Sequence, residues 1–231
     1  MQRPLYKRLG YGACQLLARL AGTALFRVRV LGRENVPATA GGLVCANHQS
    51  YFDPVLVGLA IDRRLNYLAR DSLFRNLLFK WLIEFLDAIP IDRDRSGFAG
   101  LKETLKRLKQ DELVLIFPEG TRTRDGSLQS LKPGFCSVAR RSKRPLIPVG
   151  LDGSFQAWPR SSPLPRLSTL AVVIGEPIMP QLIASLSDEE LVTELQRHIA
   201  ECFQQARELR QACRRATSSP RPRFPAGSVP A

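Results

Sequence analysis

Two histidines occur in the 231 residues, and their surroundings differ. His48 follows the short apolar run Leu43 to Ala46, and Asp53 stands five positions later in Asn47-His48-Gln49-Ser50-Tyr51-Phe52-Asp53-Pro54. With Ser50 as a helix N-cap, Asp53 takes the third helical position, and Pro54 is tolerated in a first turn whose amides have no intrahelical acceptor. The chain can then fold His48 back on Asp53. A carboxylate on one imidazole nitrogen fixes the tautomer and leaves the other nitrogen to take a proton from a hydroxyl. The same segment also admits a plainer reading, with Asp53 a helix cap and His48 a loop residue. His198 lies in a polar stretch near the carboxyl terminus and reads as a surface or packing residue.

A second cluster is Phe117-Pro118-Glu119-Gly120-Thr121-Arg122-Thr123-Arg124-Asp125-Gly126, directly after the apolar run Leu113 to Phe117. Gly120 lets backbone amides approach a ligand, while threonine hydroxyls and arginine forks suit a phosphate. No Walker loop is present, so nucleotide hydrolysis gains no support. A basic surface turn is the alternative. Ile89-Pro90-Ile91-Asp92-Arg93-Asp94-Arg95 also ends a strand-like run in arginine, although on its own it reads better as an exposed ion pair. Cys45 and Ser50 flank His48, yet Cys45 falls in a buried run and no G-x-S-x-G elbow surrounds Ser50. Neither is expected to act as a nucleophile.

These residues need elements to hold them. Apolar runs at Phe26–Leu31, Leu43–Ala46, Leu65–Ala69, Ala88–Ile91, Leu113–Phe117, Leu146–Val149 and Leu170–Ile174 read as strands. Helical patterns cover Pro54–Ile61, Ser72–Phe85, Phe98–Lys109, Gly134–Arg141 and Asp188–Arg215, the last opened by Ser187 and Glu190 at capping-box spacing. Such alternation predicts an α/β domain whose mostly buried central sheet is flanked by helices. Ligands of such sheets gather beyond the carboxyl ends of the strands, where His48 and both arginine segments fall. Four parts are expected: an amphipathic, interfacial helix over 1–25 that contacts a membrane, the α/β domain over 26–180, a helical segment over 181–215, and a disordered basic, proline-rich tail over 216–231.

Lys and Arg total 34 against 21 Asp and Glu, giving a net charge of +13. That excess favours polyanions: nucleic acid, an anionic membrane surface or a phosphorylated substrate. RNP-type aromatics, zinc-finger spacing and a helix-turn-helix pattern are all lacking, so no nucleic-acid partner is expected. The five scattered cysteines form no metal or disulfide framework and fit a reducing compartment. No apolar run reaches the length of a membrane span. Leu5, Leu9, Leu16, Leu17 and Leu20 recur at helical spacing beside Lys7, Arg8 and Arg19, a pattern that either lies in a membrane interface or packs on its own domain.

The segments together resemble the glycerolipid acyltransferase family, the 1-acylglycerol-3-phosphate acyltransferases, over roughly residues 28–178. Asn47–Asp53 matches the NHxSxxD motif, Ile89–Arg93 the second, Phe117–Arg122 the third and Leu146-Ile147-Pro148-Val149 the fourth. The resemblance implies transfer of a fatty acyl group from acyl-CoA or acyl carrier protein to the free hydroxyl of a lysophospholipid, lysophosphatidate by default. It makes His48 the general base and Asp53 its orienting partner, with Arg93, Glu119, Gly120, Thr121 and Arg122 around the acceptor. Thr123 stands where the family often has serine. No metal and no resident cofactor are implied. The expected location is peripheral, on the cytoplasmic face of a membrane bearing anionic lipids. Another lysolipid acceptor, such as a lyso-aminolipid, or a thioesterase using water are the alternatives.

Overall fold

The apolar runs pair into one sheet. The computed structural model describes residues 5–70, 89–91 and 98–218, and seven strands lie among them. These are β1 (Arg29–Leu31), β2 (Gly42–Ala46), β3 (Leu65–Arg70), β4 (Ile89–Ile91), β5 (Leu113–Ile116), β6 (Leu146–Asp152) and β7 (Ala171–Ile174). Their order is β1-β7-β6-β2-β5-β3-β4. From β6 to β4 every neighbouring pair is parallel, whereas β7 runs antiparallel to β6 and carries β1 parallel beside it. Helices fill the connections: α1 (Leu5–Phe26), α2 (Asp53–Ala60), α3 (Phe98–Lys109), α4 (Gly134–Ser142), α5 (Ser154–Ala157), α6 (Pro180–Ser185) and α7 (Asp188–Ser218).

Strands buried on both faces need apolar side chains at every position, which is why β2, β5 and β7 read as unbroken runs rather than alternating ones. Val44, Ala46, Leu115, Val149 and Leu151 pack on one side with Leu56, Val57 and Ala60 of α2. Leu43, Cys45, Val114 and Leu146 face the other, against Phe135 and Ala139 of α4 and Leu191, Leu195 and Ile199 of α7. The expected α/β architecture is therefore present, as three layers.

Several boundaries differ from the sequence reading. Helix α1 continues through Phe26, because Arg27 adopts a left-handed conformation (φ 45°) and Val28 N–H returns to Gly22 C=O at 3.2 Å. That closure is a helix C-cap, so the strand begins at Arg29 rather than Phe26. The short α5 and α6 have no periodic signal in four or six residues. The apolar helix expected over 72–85, Arg93, and the tail beyond 218 lie outside the described residues. The Ser187 capping box is realised: Ser187 N–H donates to Glu190 Oε2 at 2.7 Å, and Glu190 N–H to Ser187 Oγ at 3.2 Å. Helix α7 then lies so close to β6 that a Cβ on Gly150 would stand 2.2 Å from the backbone of Cys202 and Phe203. Arg210 of α7 pairs with Asp152 at the end of β6, both almost fully buried.

Helix α1 keeps its apolar side outward. Its polar Gln15 and Arg19 turn inward, where Gln15 Nε2 donates to the Gly58 and Ile61 carbonyls at 2.8 and 2.7 Å and Arg19 Nε to Leu59 C=O at 2.9 Å. These carbonyls close α2, where a helix has no further amides of its own to offer them. Leu16, Leu17 and Leu20 are left outward and exposed. Among the described residues, no helix is long and apolar enough to cross a membrane.

Candidate active site

Register decides which loops meet. Cys45 of β2 pairs with Ile116 of β5 and Ala46 with Val149 of β6, so β2 and β5 end side by side while β6 runs on to Asp152 beside them. The loops leaving those three ends build the site. Asn47 spans the seam at once, accepting from Leu151 N–H at 2.7 Å and donating to Leu151 C=O at 3.0 Å. With its amide spent on β6, the next residue, His48, is held at the sheet's rim.

His48 Nδ1 lies 2.8 Å from Asp53 Oδ2. The same oxygen accepts the amides of Gln49 at 2.5 Å and Ser50 at 2.6 Å, and Asp53 is wholly buried. A carboxylate fixed by two amides cannot swing away from the ring. It imposes the tautomer with the proton on Nδ1, so that Nε2 carries the free lone pair. The imidazole stacks on Phe117, centroids 3.9 Å apart and planes 14° from parallel. Its side chain keeps 19% exposure, enough for a substrate to reach it.

The helix start differs from the expected cap. Helix α2 begins at Asp53 itself, after Phe52, while Ser50 Oγ accepts Phe52 N–H at 3.1 Å and donates to Trp158 C=O at 2.7 Å. Ser50 thus shapes the turn instead of capping the helix, and its hydroxyl is engaged. Burial pushes the Cys45 thiol far above its ordinary range, with Cys136 adding to the effect. Neither side chain is placed as a nucleophile.

The loop after β5 wraps the same histidine. His48 N–H donates to Glu119 Oε1 at 3.2 Å, and His48 C=O accepts Thr123 N–H at 2.9 Å. Glu119 is 2% exposed, and its Oε2 has no hydrogen-bond partner among the described residues. Burial raises its carboxyl to about 8, helped by nearby Asp53 and opposed by the amides of His48 and Gln129. At neutral pH it is therefore mostly protonated. A neutral acid does not repel an anion at this loop as a carboxylate would.

Gly120 sits at φ 75°, a left-handed conformation that glycine adopts without strain, and a Cβ there would meet the end of the Lys132 side chain at 3.2–3.3 Å. Arg122 stacks its guanidinium over Tyr51, 3.6 Å from the ring centroid, with Nη1 buried and unpartnered among the described residues. Thr121, Arg122, Arg124 and Arg160 contribute to a cavity of about 260 Å³ beside the histidine loop. Thr123 does not offer its hydroxyl as expected. Its Oγ1 donates to Asp125 Oδ1 at 2.9 Å and accepts Gly126 N–H at 3.2 Å, closing the loop.

An acyltransferase family model matches residues 27–152, more than half of the chain. The chain belongs to the acyltransferase family. A 1-acyl-sn-glycerol-3-phosphate acyltransferase of Bacillus subtilis is 33% identical over 167 residues, 71% of this chain and 79% of that protein. The chloroplast 1-acyl-sn-glycerol-3-phosphate acyltransferase LPAT1 of Arabidopsis thaliana is 26% identical over 179 residues, 76% of this chain but half of its own length. The crystal structure of the 1-acyl-sn-glycerophosphate acyltransferase PlsC from Thermotoga maritima superposes with a TM-score of 0.76 at 25% identity, covering 90% of this chain and 84% of that one.

In this acyltransferase the fold joins His48, Asp53, Glu119, Gly120 and Arg122 around one rim, with Thr121 exposed at the cavity edge. Sequence reasoning missed four contributors: Phe117 as the plate behind the imidazole, Tyr51 beneath Arg122, Lys132 against Gly120, and Arg160 on the cavity wall. The two aromatics lay inside the motifs and were visible there as bulk between polar residues. Lys132 and Arg160 gave no signal, because only the fold brings them near.

Proposed function

We infer that this acyltransferase is a 1-acylglycerol-3-phosphate O-acyltransferase. It moves a fatty acyl group from a thioester, acyl-CoA or acyl carrier protein, to the free hydroxyl of lysophosphatidate and forms phosphatidate. The observation that carries the reading is one constellation: the His48–Asp53 pair at 2.8 Å and the Arg122 loop hydrogen-bonded to both the amide and the carbonyl of His48. Base and phosphate site cannot move independently. Holding the acceptor phosphate on Arg122 presents its hydroxyl to His48 and makes the encounter an oriented one.

His48 Nε2 takes the hydroxyl proton as the oxygen attacks the thioester carbonyl. The tetrahedral intermediate collapses, the C–S bond breaks, and the departing thiolate takes the proton back from Nε2. Asp53 stabilises the imidazolium between these steps. Arg93, in the second motif, is assigned to the acceptor as well. The protein works at a membrane surface, peripherally and on the cytoplasmic face, with the outward leucines of α1 as its first contact and anionic lipid attracting its positive charge.

Thiol release from a long-chain acyl-CoA, with and without lysophosphatidate, tests the reading on wild type and His48→Ala. Release that requires the acceptor, yields phosphatidate and falls by roughly a thousandfold or more in the variant is expected. Release without an acceptor would identify a thioesterase. Turnover of a lyso-aminolipid but not lysophosphatidate would reassign the acceptor.

A further inference from the structure

The connection between β6 and β7 lends Arg160 to the cavity above, and the rest of it is a built feature that the chemistry above does not use. Arg166 N–H donates to Ala157 C=O at 2.7 Å and closes the loop at its base, while Trp158 Nε1–H donates to Ser162 C=O at 3.1 Å across it. Prolines at 159, 163 and 165 restrict the backbone between them. Here Leu164 is 71% exposed and Leu167 74%, more than any other large hydrophobic residue described.

The loop's base and tip face different things. At the base, Ser50 Oγ bonds to Trp158 C=O, the Trp158 ring lies 5.2 Å from Tyr51 and 5.0 Å from Phe52, and Arg160 lines the cavity shared with Arg122. Phe52 in turn meets Phe26 at the end of α1, centroids 5.1 Å apart. An aromatic chain therefore ties α1, the catalytic turn and this loop into one edge, along which Leu25, Tyr51 and Val55 are also exposed. From Gly153 to Gly175 the chain has no acidic residue, and it has arginines at 160 and 166.

We propose that the 158–167 loop is a second membrane-docking element: Leu164 and Leu167 insert into an anionic bilayer interface beside the active site, and Arg160 and Arg166 take up lipid phosphates at its rim. The proposal rests on the membrane reading above and adds to α1 a contact that sets the catalytic rim toward the lipid. Apolar tips with cationic flanks fit this occupant, because the leucines leave water while the guanidinium groups stay at headgroup level. The advantage for catalysis is geometric. An amphiphilic acceptor can place its phosphate among Arg122 and Arg160 while its acyl chain remains in the membrane.

The test uses the full-length protein and sedimentation with vesicles of phosphatidylcholine, with and without about 30% phosphatidylglycerol to supply an anionic surface. Leu164→Asp/Leu167→Asp should lower partitioning to anionic vesicles at least about tenfold. Arg160→Gln/Arg166→Gln should lose the preference for anionic lipid. In detergent micelles the leucine variant, whose substitutions are both on the exposed tip, should keep wild-type turnover of a short-chain thioester and acceptor. Unchanged vesicle binding by the leucine variant, with wild type bound, would overturn the loop's role and leave the membrane reading standing. A wild type that binds no vesicle would overturn both. Self-association that the leucine variant abolishes would overturn the proposal by making the tip an interface between two copies of the chain.

Discussion

At His48 the deciding detail is that Asp53 Oδ2 serves three donors, two amides and the ring, within 2.8 Å. Glu119 adds a pH dependence whose sign comes from its burial. Its carboxyl titrates near 8 in the folded protein against an ordinary 4.5, so the unfolded chain ionises it at lower pH. Its contribution to stability is full below pH about 4.5 and is lost as the pH rises through about 8. Glu119→Gln keeps the neutral shape, and its Tm relative to wild type should rise by several degrees between about pH 5 and about pH 8.5. Superimposable Tm profiles would mean that the folded protein holds Glu119 ionised. Tyr51 makes a separate prediction. Removing the ring under Arg122 with Tyr51→Leu should raise the acceptor KM about three- to tenfold and leave the thioester KM alone, while Tyr51→Phe retains the wild-type value. Equal changes in both KM values would assign Tyr51 to structure only.

Among the elements, α7 shows how a helix far along the chain stabilises the strand that carries the site. Gly150 permits its close approach, and Asp152 with Arg210 fastens it at the end of β6, adjoining the loop that holds Trp158. A methyl group at 150 has no space against helix backbone, which cannot move aside as a side chain could. Gly150→Ala should therefore cost about 2–3 kcal/mol or more, seen as a shift in urea midpoint. Gly134, where nothing lies within 4 Å of an added Cβ, supplies the control, and alanine there should be close to neutral. In helix α1 a different balance holds. Helical spacing located its leucines correctly, yet the side it buries is chosen by Gln15 and Arg19 capping α2. Amphipathic pattern alone does not say which face meets the protein when the apolar one has another solvent available.

Across the whole molecule, the positive charge and the exposed leucines act on different ranges. A net charge of +13 attracts an anionic surface over about a Debye length, roughly 10 Å at 0.1 M salt and 3 Å at 1 M, whereas apolar insertion works only at contact. Raising salt from about 0.1 to about 1 M should thus weaken binding to anionic vesicles several-fold without abolishing it, as sedimentation would register. Complete release at the higher salt would mean that charge alone holds the protein to lipid.

Much of this protein was legible in its residues. The strand runs, the Ser187 capping box and the His48–Asp53 spacing are local, and local spacing fixes what neighbouring side chains can reach. The 2.8 Å pairing expected within Asn47–Asp53 needed no partner from elsewhere except the amides beside it. What only the tertiary structure decided is how separate strand ends meet. Register between β2 and β5 put Glu119 on the amide of His48 and Phe117 behind its ring, and the β6–β7 connection brought Trp158 and Arg160 to the same rim. It also decided that Thr123 closes a loop rather than offering a hydroxyl, and that burial raises the Glu119 carboxyl. Those properties depend on burial and on neighbours far along the chain, which is information that the spacing of residues within a motif does not hold.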